Sequence, residues 1–178
     1  MQKNKLLLIC CFIFAILLVA KSSNSQPSPK LTQTWYFSPI PAIGVGPNGL
    51  PTKKINLTPY CCPSDAIEIK APAGATDNDL QWVNIPLSLP GNYTITAVKV
   101  CYASSGNAYI SQTRLSDMGT PDHATVVLDD PTDRTAPGPT CYIVPANAKV
   151  DNTITLSLRV VVPQNGSLRI GSIAISLK

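Results

Sequence analysis

The sequence predicts an all-β chain, folded as a two-sheet antiparallel sandwich of about nine short strands, jelly-roll or immunoglobulin-like. Three observations predict it. Apolar and polar residues alternate at period two through several segments, most clearly Asp151 to Val162, the pattern of a strand with one buried face. No stretch keeps a helical period over three turns. Proline makes up 17 of the 178 residues, every one of them after Ser25, and proline breaks helices and punctuates strands. Charged residues are 13% and hydrophobic residues 44% of the chain, so it has the apolar content to fold rather than stay disordered.

The strands follow in order. Thr32 to Ser38 is aromatic and Thr-rich. Ala66 to Lys70 alternates Ile67 and Ile69 with Glu68 and Lys70. Leu80 to Leu89 contains Pro86, which predicts an edge strand or a break there. Tyr93 to Tyr102 is rich in β-branched residues, Ala108 to Ser116 and Ala124 to Asp129 are shorter, and Thr140 to Val144 follows a Pro-rich link. Asp151 to Val162 puts Ile154, Leu156, Leu158 and Val160 on the buried face and Thr153, Thr155, Ser157 and Arg159 on the other. Pro163-Gln164-Asn165-Gly166 is expected to turn it as a hairpin into Ser167 to Leu177. The apolar phase of that last strand slips after Gly171, predicting a β-bulge. Between the first two strands, the stretch from Ser38 to Pro63 is rich in proline and glycine. It is expected either to cross the sandwich extended or to project as a loop.

The N-terminus reads as a targeting segment. Lys3 and Lys5 precede the apolar run Leu6 to Ala20, and small residues Ser23 and Ser25 follow. That is a secretory signal peptide, residues 1–25, with cleavage after Ser25 and a single domain over 26–178. The run is shorter than the roughly 20 residues that span a bilayer, so no transmembrane span is expected after its removal. Neither Cys10 nor Cys11 follows the small residue that a lipoprotein signal needs. Removal takes Lys3, Lys5 and Lys21 out of a Lys plus Arg count of 14 against 10 acidic residues. The chain is then nearly neutral, with no basic patch for nucleic acid. The localisation expected is secreted or extracytoplasmic.

Cys61, Cys62, Cys101 and Cys141 remain in the mature chain. An even count in an exported protein implies disulfides. Three pairings exist. A bond between the adjacent Cys61 and Cys62 closes a strained ring, so the expectation is one of them bonded to Cys101 and the other to Cys141. Such bonds would staple the Pro/Gly-rich segment to two strands. A metal site is disfavoured, because there is no Cys-x-x-Cys and His123 is the single histidine.

The runs LQWVNIPLSLPGNYTITAVKVCY, TITLSLRVVV and SLRIGSIAISL resemble β-sandwich, jelly-roll-like modules of exported bacterial proteins. In those modules an edge strand leads into an ITxVxVxY strand and the domain closes on LRV…LRIxGxxI. The resemblance covers about Leu80 to Lys178. It implies a fold and carries no function.

No catalytic residues are assigned. Gly-x-Ser-x-Gly is absent, and Asp122 and His123, adjacent on an extended chain, point apart. Glu68 is the only glutamate. Asp77 and Asp79, and Asp129, Asp130 and Asp133, cluster oxygen ligands that a structural calcium could use, although Asx turns explain the same residues. Trp35, Tyr36 and Tyr109, with Lys53 and Lys54, are the candidate ligand contacts, with the aromatics offering faces on which a sugar could stack. Sequons at Asn56, Asn92 and Asn165 exceed the chance expectation from composition by too little to argue for glycosylation. The function expected is a secreted or cell-surface, non-enzymatic sandwich module, binding or structural, with a glycan or a surface protein as partner. The alternative is a small secreted carbohydrate-active hydrolase or lyase using Asp and Glu carboxylates.

Overall fold

The computed structural model describes residues 32–60, 66–72, 80–119, 124–151 and 153–178. The expected signal peptide, Cys61, Cys62, Asp77, Asp79 and His123 lie outside them. Eleven strands form: β1 (Gln33–Phe37), β2 (Ile43–Val45), β3 (Asn56–Tyr60), β4 (Ala66–Lys70), β5 (Gln81–Leu87), β6 (Tyr93–Ser105), β7 (Tyr109–Asp117), β8 (Thr125–Asp130), β9 (Thr140–Val150), β10 (Ile154–Val161) and β11 (Ser167–Leu177). Every segment expected from the sequence is a strand. The two unexpected ones, β2 and β3, lie in the Pro/Gly-rich stretch. Both are edge strands with one hydrogen-bonded neighbour, β5 and β4 respectively. An edge needs only one row of backbone bonds, so Gly44 and Pro59 are tolerated there. The stretch is thus built into both sheets, with Ile55 buried between its two strands. Its tip projects, where Gly49 has φ 78° and Leu50 is exposed.

The sheets run β3-β4-β11-β6-β9 and β2-β5-β10-β7-β8, with β1 added beside β11. From β4 to β11 the chain gives β4-β11-β6-β9 opposite β5-β10-β7-β8. This is the doubled Greek key of a jelly roll, and it decides between the two topologies that the sequence left open. β1 and β4 share one edge of β11: β4 pairs with Ser167–Ile170 and β1 with Ile173–Leu177. The register of β11 against β6 shifts between Ile170 and Ile173, so the bulge at Gly171 is where the neighbour on that edge changes. Pro86 lies in β5 beyond the part that β2 covers, Trp82 to Asn84, on a free edge as its missing N–H requires.

The core lies between the sheets. Ile154, Leu156, Leu158 and Val160 of β10 are fully buried, facing Ile95, Val98, Leu168, Ile170 and Ile175 of the other sheet. Alternation predicted these inward positions correctly. It misassigned the turn after them. β10 pairs with β5 and β7, and β11 with β1, β4 and β6, so residues 163–166 carry the chain from one sheet to the other. They are an arch and not a hairpin. Gly166 N–H donates to the Pro163 carbonyl at 2.8 Å. An amphipathic strand buries its apolar face equally well in either sheet, so alternation alone does not tell a hairpin from an arch.

The cysteine pairing is also corrected. Cys101 and Cys141 are bonded to each other, not to Cys61 and Cys62. They stand opposite in the β6·β9 register, with Cα atoms 4.0 Å apart. Val100, Tyr102, Tyr142 and Val144 face the core, so both cysteines point outward from the same sheet face. The two strands are far apart in sequence, and nothing local reveals that they are neighbours. Among the described residues, no helix is long and apolar enough to cross a membrane.

Candidate functional site

The outer face of the five-stranded sheet carries polar side chains aligned in rows across three strands. Because Val83, Ile85, Leu87, Leu156, Leu158 and Leu115 turn inward, the residues between them must turn outward. Registers across β5, β10 and β7 then set them in rows: Trp82, Arg159 and Gln112; Asn84, Ser157 and Arg114; Pro86, Thr155 and Ser116. A groove of about 450 Å³ runs over the last two rows, with Asn84, Thr155, Ser157 and Ser116 on its floor and Pro41, Ile43, Pro86, Met118 and Ala124 as walls. Ile43 and Met118 are exposed, at 60% and 47%. Among the described residues, the side chains of Asn84, Thr155, Ser157 and Ser116 make no hydrogen bond within the protein. Their donors and acceptors are open to whatever fills the groove.

The face beside the groove is charged. Arg114 Nη2 donates to Asp129 Oδ2 at 3.1 Å and Nε to Oδ1 at 3.3 Å, and Gln112 Nε2 donates to the same Oδ1. The Arg114 guanidinium holds the Asp129 carboxyl below its ordinary range, against the opposing effect of burial. Trp82 has Arg114 over its ring at 4.9 Å and Arg159 at 5.9 Å.

The residues singled out from the sequence are not gathered here. Trp35 and Tyr36 neighbour each other on β1, opposite Ile175 and Ala174 in the six-stranded sheet. Trp35 faces the inner side of that edge and Tyr36, 74% exposed, the outer side. Lys53 and Lys54 border a separate depression with Gly46, Asn48 and Gln81. Tyr109 opens β7 opposite Val161. Asp129 is engaged by Arg114, and Asp130 by Arg134 and Thr132. Burial works to raise the Asp130 carboxyl, but the bonds from Thr132 and Arg134 outweigh it and hold it low. Asp133 joins no group of three or more metal-ligating side chains among the described residues. Glu68 is on the opposite sheet, paired with Lys70 at 2.6 Å and Arg169 at 3.1 Å. These bonds, Lys70 foremost, lower its pKa. A hydrolytic general acid needs the opposite shift.

Asn84, Ser157, Thr155, Arg114 and Arg159 escaped the sequence reading as site residues. Their outward facing was legible from alternation. Their convergence was not, because it depends on β5, β10 and β7 being neighbours. A second depression, of about 430 Å³, lies over the disulfide on the six-stranded sheet, lined by Tyr60, Ala66, Ala103 and Gly171. Tyr60 is covered by Arg169 at 3.8 Å, and that floor has few hydrogen-bonding side chains.

No protein-family model and no curated protein matches the chain. Solved structures of similar fold include the C-terminal CBM6 of LamC, a marine laminarinase of Zobellia galactanivorans (13% identity, TM-score 0.49, covering 81% of this chain and 99% of that one). TmCBM61 in complex with β-1,4-galactotriose has 13% identity and TM-score 0.48, covering 76% and 87%. The K3 cleaved adhesin domain of Lys-gingipain from Porphyromonas gingivalis W83 has 13% identity and TM-score 0.47, covering 82% and 99%.

Proposed function

We propose that the chain is an exported glycan-binding module that takes a saccharide into the groove of the five-stranded sheet. The observation that carries the reading is the groove floor. Amide and hydroxyl groups of Asn84, Thr155, Ser157 and Ser116 are fixed on paired strands, left open, and flanked by apolar walls. A sugar ring presents the same mixture, hydroxyls around its rim and C–H faces above and below. Sites for such ligands combine apolar walls with a few placed polar groups. Rigid strands keep those groups in position without an ordering cost on binding. Export is supported by the leader-like N-terminus and by a disulfide, which persists in oxidising compartments.

The test is binding of the full chain to a panel of soluble polysaccharides, by affinity electrophoresis and calorimetry. Asn84→Ala combined with Ser157→Ala should weaken binding at least about fivefold, since each lost hydrogen bond is worth about 0.5–1.5 kcal/mol. The melting temperature should stay within about 2 °C, since neither side chain makes a hydrogen bond within the protein that would be lost. Undiminished binding by the double variant would put the site elsewhere.

A further inference from the structure

We infer that the ligand of this groove is an anionic saccharide, whose carboxylate or sulfate group pairs with Arg159. The inference rests on the groove being the binding site and adds the ligand's charge. Arg159 follows Ser157 on the outward face of β10, in the row beside the groove floor. It is half-buried, and its Nε is sheltered from solvent with no hydrogen-bond partner. Among the described residues no carboxylate lies within ion-pair distance of it. The other arginine on this face, Arg114, is answered by Asp129, which also accepts from Gln112. The face therefore holds one cation more than its carboxylates satisfy, and that cation stands one row beyond the groove floor.

Its setting fits recognition rather than a solvated surface charge. The guanidinium lies over Trp82 with Cζ 5.9 Å from the ring centroid. An aromatic face holds a guanidinium in orientation while leaving its N–H edge for a ligand. The two terminal Nη groups donate in a fork, which matches the two oxygens of a carboxylate or a sulfate ester. A neutral sugar hydroxyl would leave the charge uncompensated.

The experiment measures affinities of the full chain for polygalacturonate, its fully methyl-esterified form, dextran sulfate and dextran, at low and high salt. The ester keeps the sugar and removes the charge. Polygalacturonate should bind roughly tenfold to a hundredfold more tightly than its ester, the range for a hydrogen-bonded charge. Salt should shrink the difference. The two acidic polymers separate a carboxylate from a sulfate, and a preference for either over its neutral counterpart supports the inference. Arg159→Gln should erase the preference, bringing the affinities for the acidic polymer and its ester together. Arg159→Lys keeps the charge but loses the fork, so its preference should fall between the two. It carries the test if the Gln variant melts early. Equal affinity for acidic and neutral forms overturns the anion, and an acidic preference undiminished in Arg159→Gln overturns its pairing with Arg159. If the Asn84→Ala, Ser157→Ala double variant still weakens binding in that case, the groove stands and only its charge preference is lost.

Discussion

Single side chains at the inter-sheet contact show how much of the stability is polar and local. Tyr142 of β9 is buried to 9% exposure, and its hydroxyl lies 2.7 Å from Thr113 Oγ1 on the facing sheet. Burial raises its pKa far above that of a free phenol. Tyr102 meets it edge-on at 5.9 Å, and Arg134 lies over its ring at 4.5 Å. Tyr142→Phe should cost about 1–3 kcal/mol, chiefly because Thr113 is left with an unanswered buried hydroxyl. Adding Thr113→Val removes that orphan and should recover most of the loss in urea unfolding. Purely additive costs would mean that the hydrogen bond contributes little. Glu68 is a second case. Its pKa is lowered in the fold by Lys70 first and Arg169 next. A lowered carboxylate pKa means that its stabilisation is present above the unfolded value, about 4.3, and is lost as pH falls through the folded one. Glu68→Gln should flatten the acid limb of a stability–pH curve below about pH 4.3, and an unchanged limb would contradict the assignment. Neither partnership was legible in the sequence. Thr113 lies 29 residues from Tyr142 and Arg169 lies 101 from Glu68, and alternation says nothing of what stands opposite.

At the scale of elements, what a strand needs from its own residues was readable and what it needs from a neighbour was not. Segments with alternating apolar residues, such as Ser167 to Leu177, were found with their bounds. β2 and β3 were missed because an edge strand survives on one ladder and needs little apolar patterning. The arch at 163–166 looked like a hairpin because Asn-Gly is common in both. The positive φ lies in the other crossover instead, at Gly106 (58°) and Asn107 (62°) between β6 and β7. The two crossovers pack backbone to backbone. A Cβ on Gly106 would stand 2.5 Å from the Asn165 carbonyl oxygen and 2.8 Å from Gly166 Cα. Gly106→Ala must therefore bear a left-handed conformation, worth about 1–2 kcal/mol, and also push the arches apart. A loss of more than about 2 kcal/mol is expected, near the top of the range for single substitutions. Gly91→Ala has no atom within 4 Å of the added carbon and should change stability by under about 0.5 kcal/mol. Similar losses in thermal unfolding of the two variants would refute the packed-arch account.

At the scale of the whole molecule, the jelly-roll order sets the division of labour between the sheets. β6 and β9 are neighbours although β7 and β8 intervene in the chain and lie in the opposite sheet. The Cys101–Cys141 bond thus closes a loop of 40 residues around the sandwich. Cross-linking the unfolded chain over that length stabilises the fold by about 4 kcal/mol in the chain-entropy model. The bond sits on the outer face of one sheet, and the polar groove sits on the outer face of the other, with the whole core between them. Stability and binding should therefore separate. Cys101→Ala with Cys141→Ala should lower the melting temperature by roughly 8–16 °C, at about 2–4 °C per kcal/mol for a domain of this size. The affinity for whichever polysaccharide the chain binds, measured well below that temperature, should be unchanged. A non-reduced digest of the parent chain should yield one linked peptide containing Cys101 and Cys141. If removing the bond weakens binding while the fold persists, the ligand is held on the six-stranded sheet, beside Tyr60 and the disulfide, and the groove of Asn84 and Ser157 is not its site.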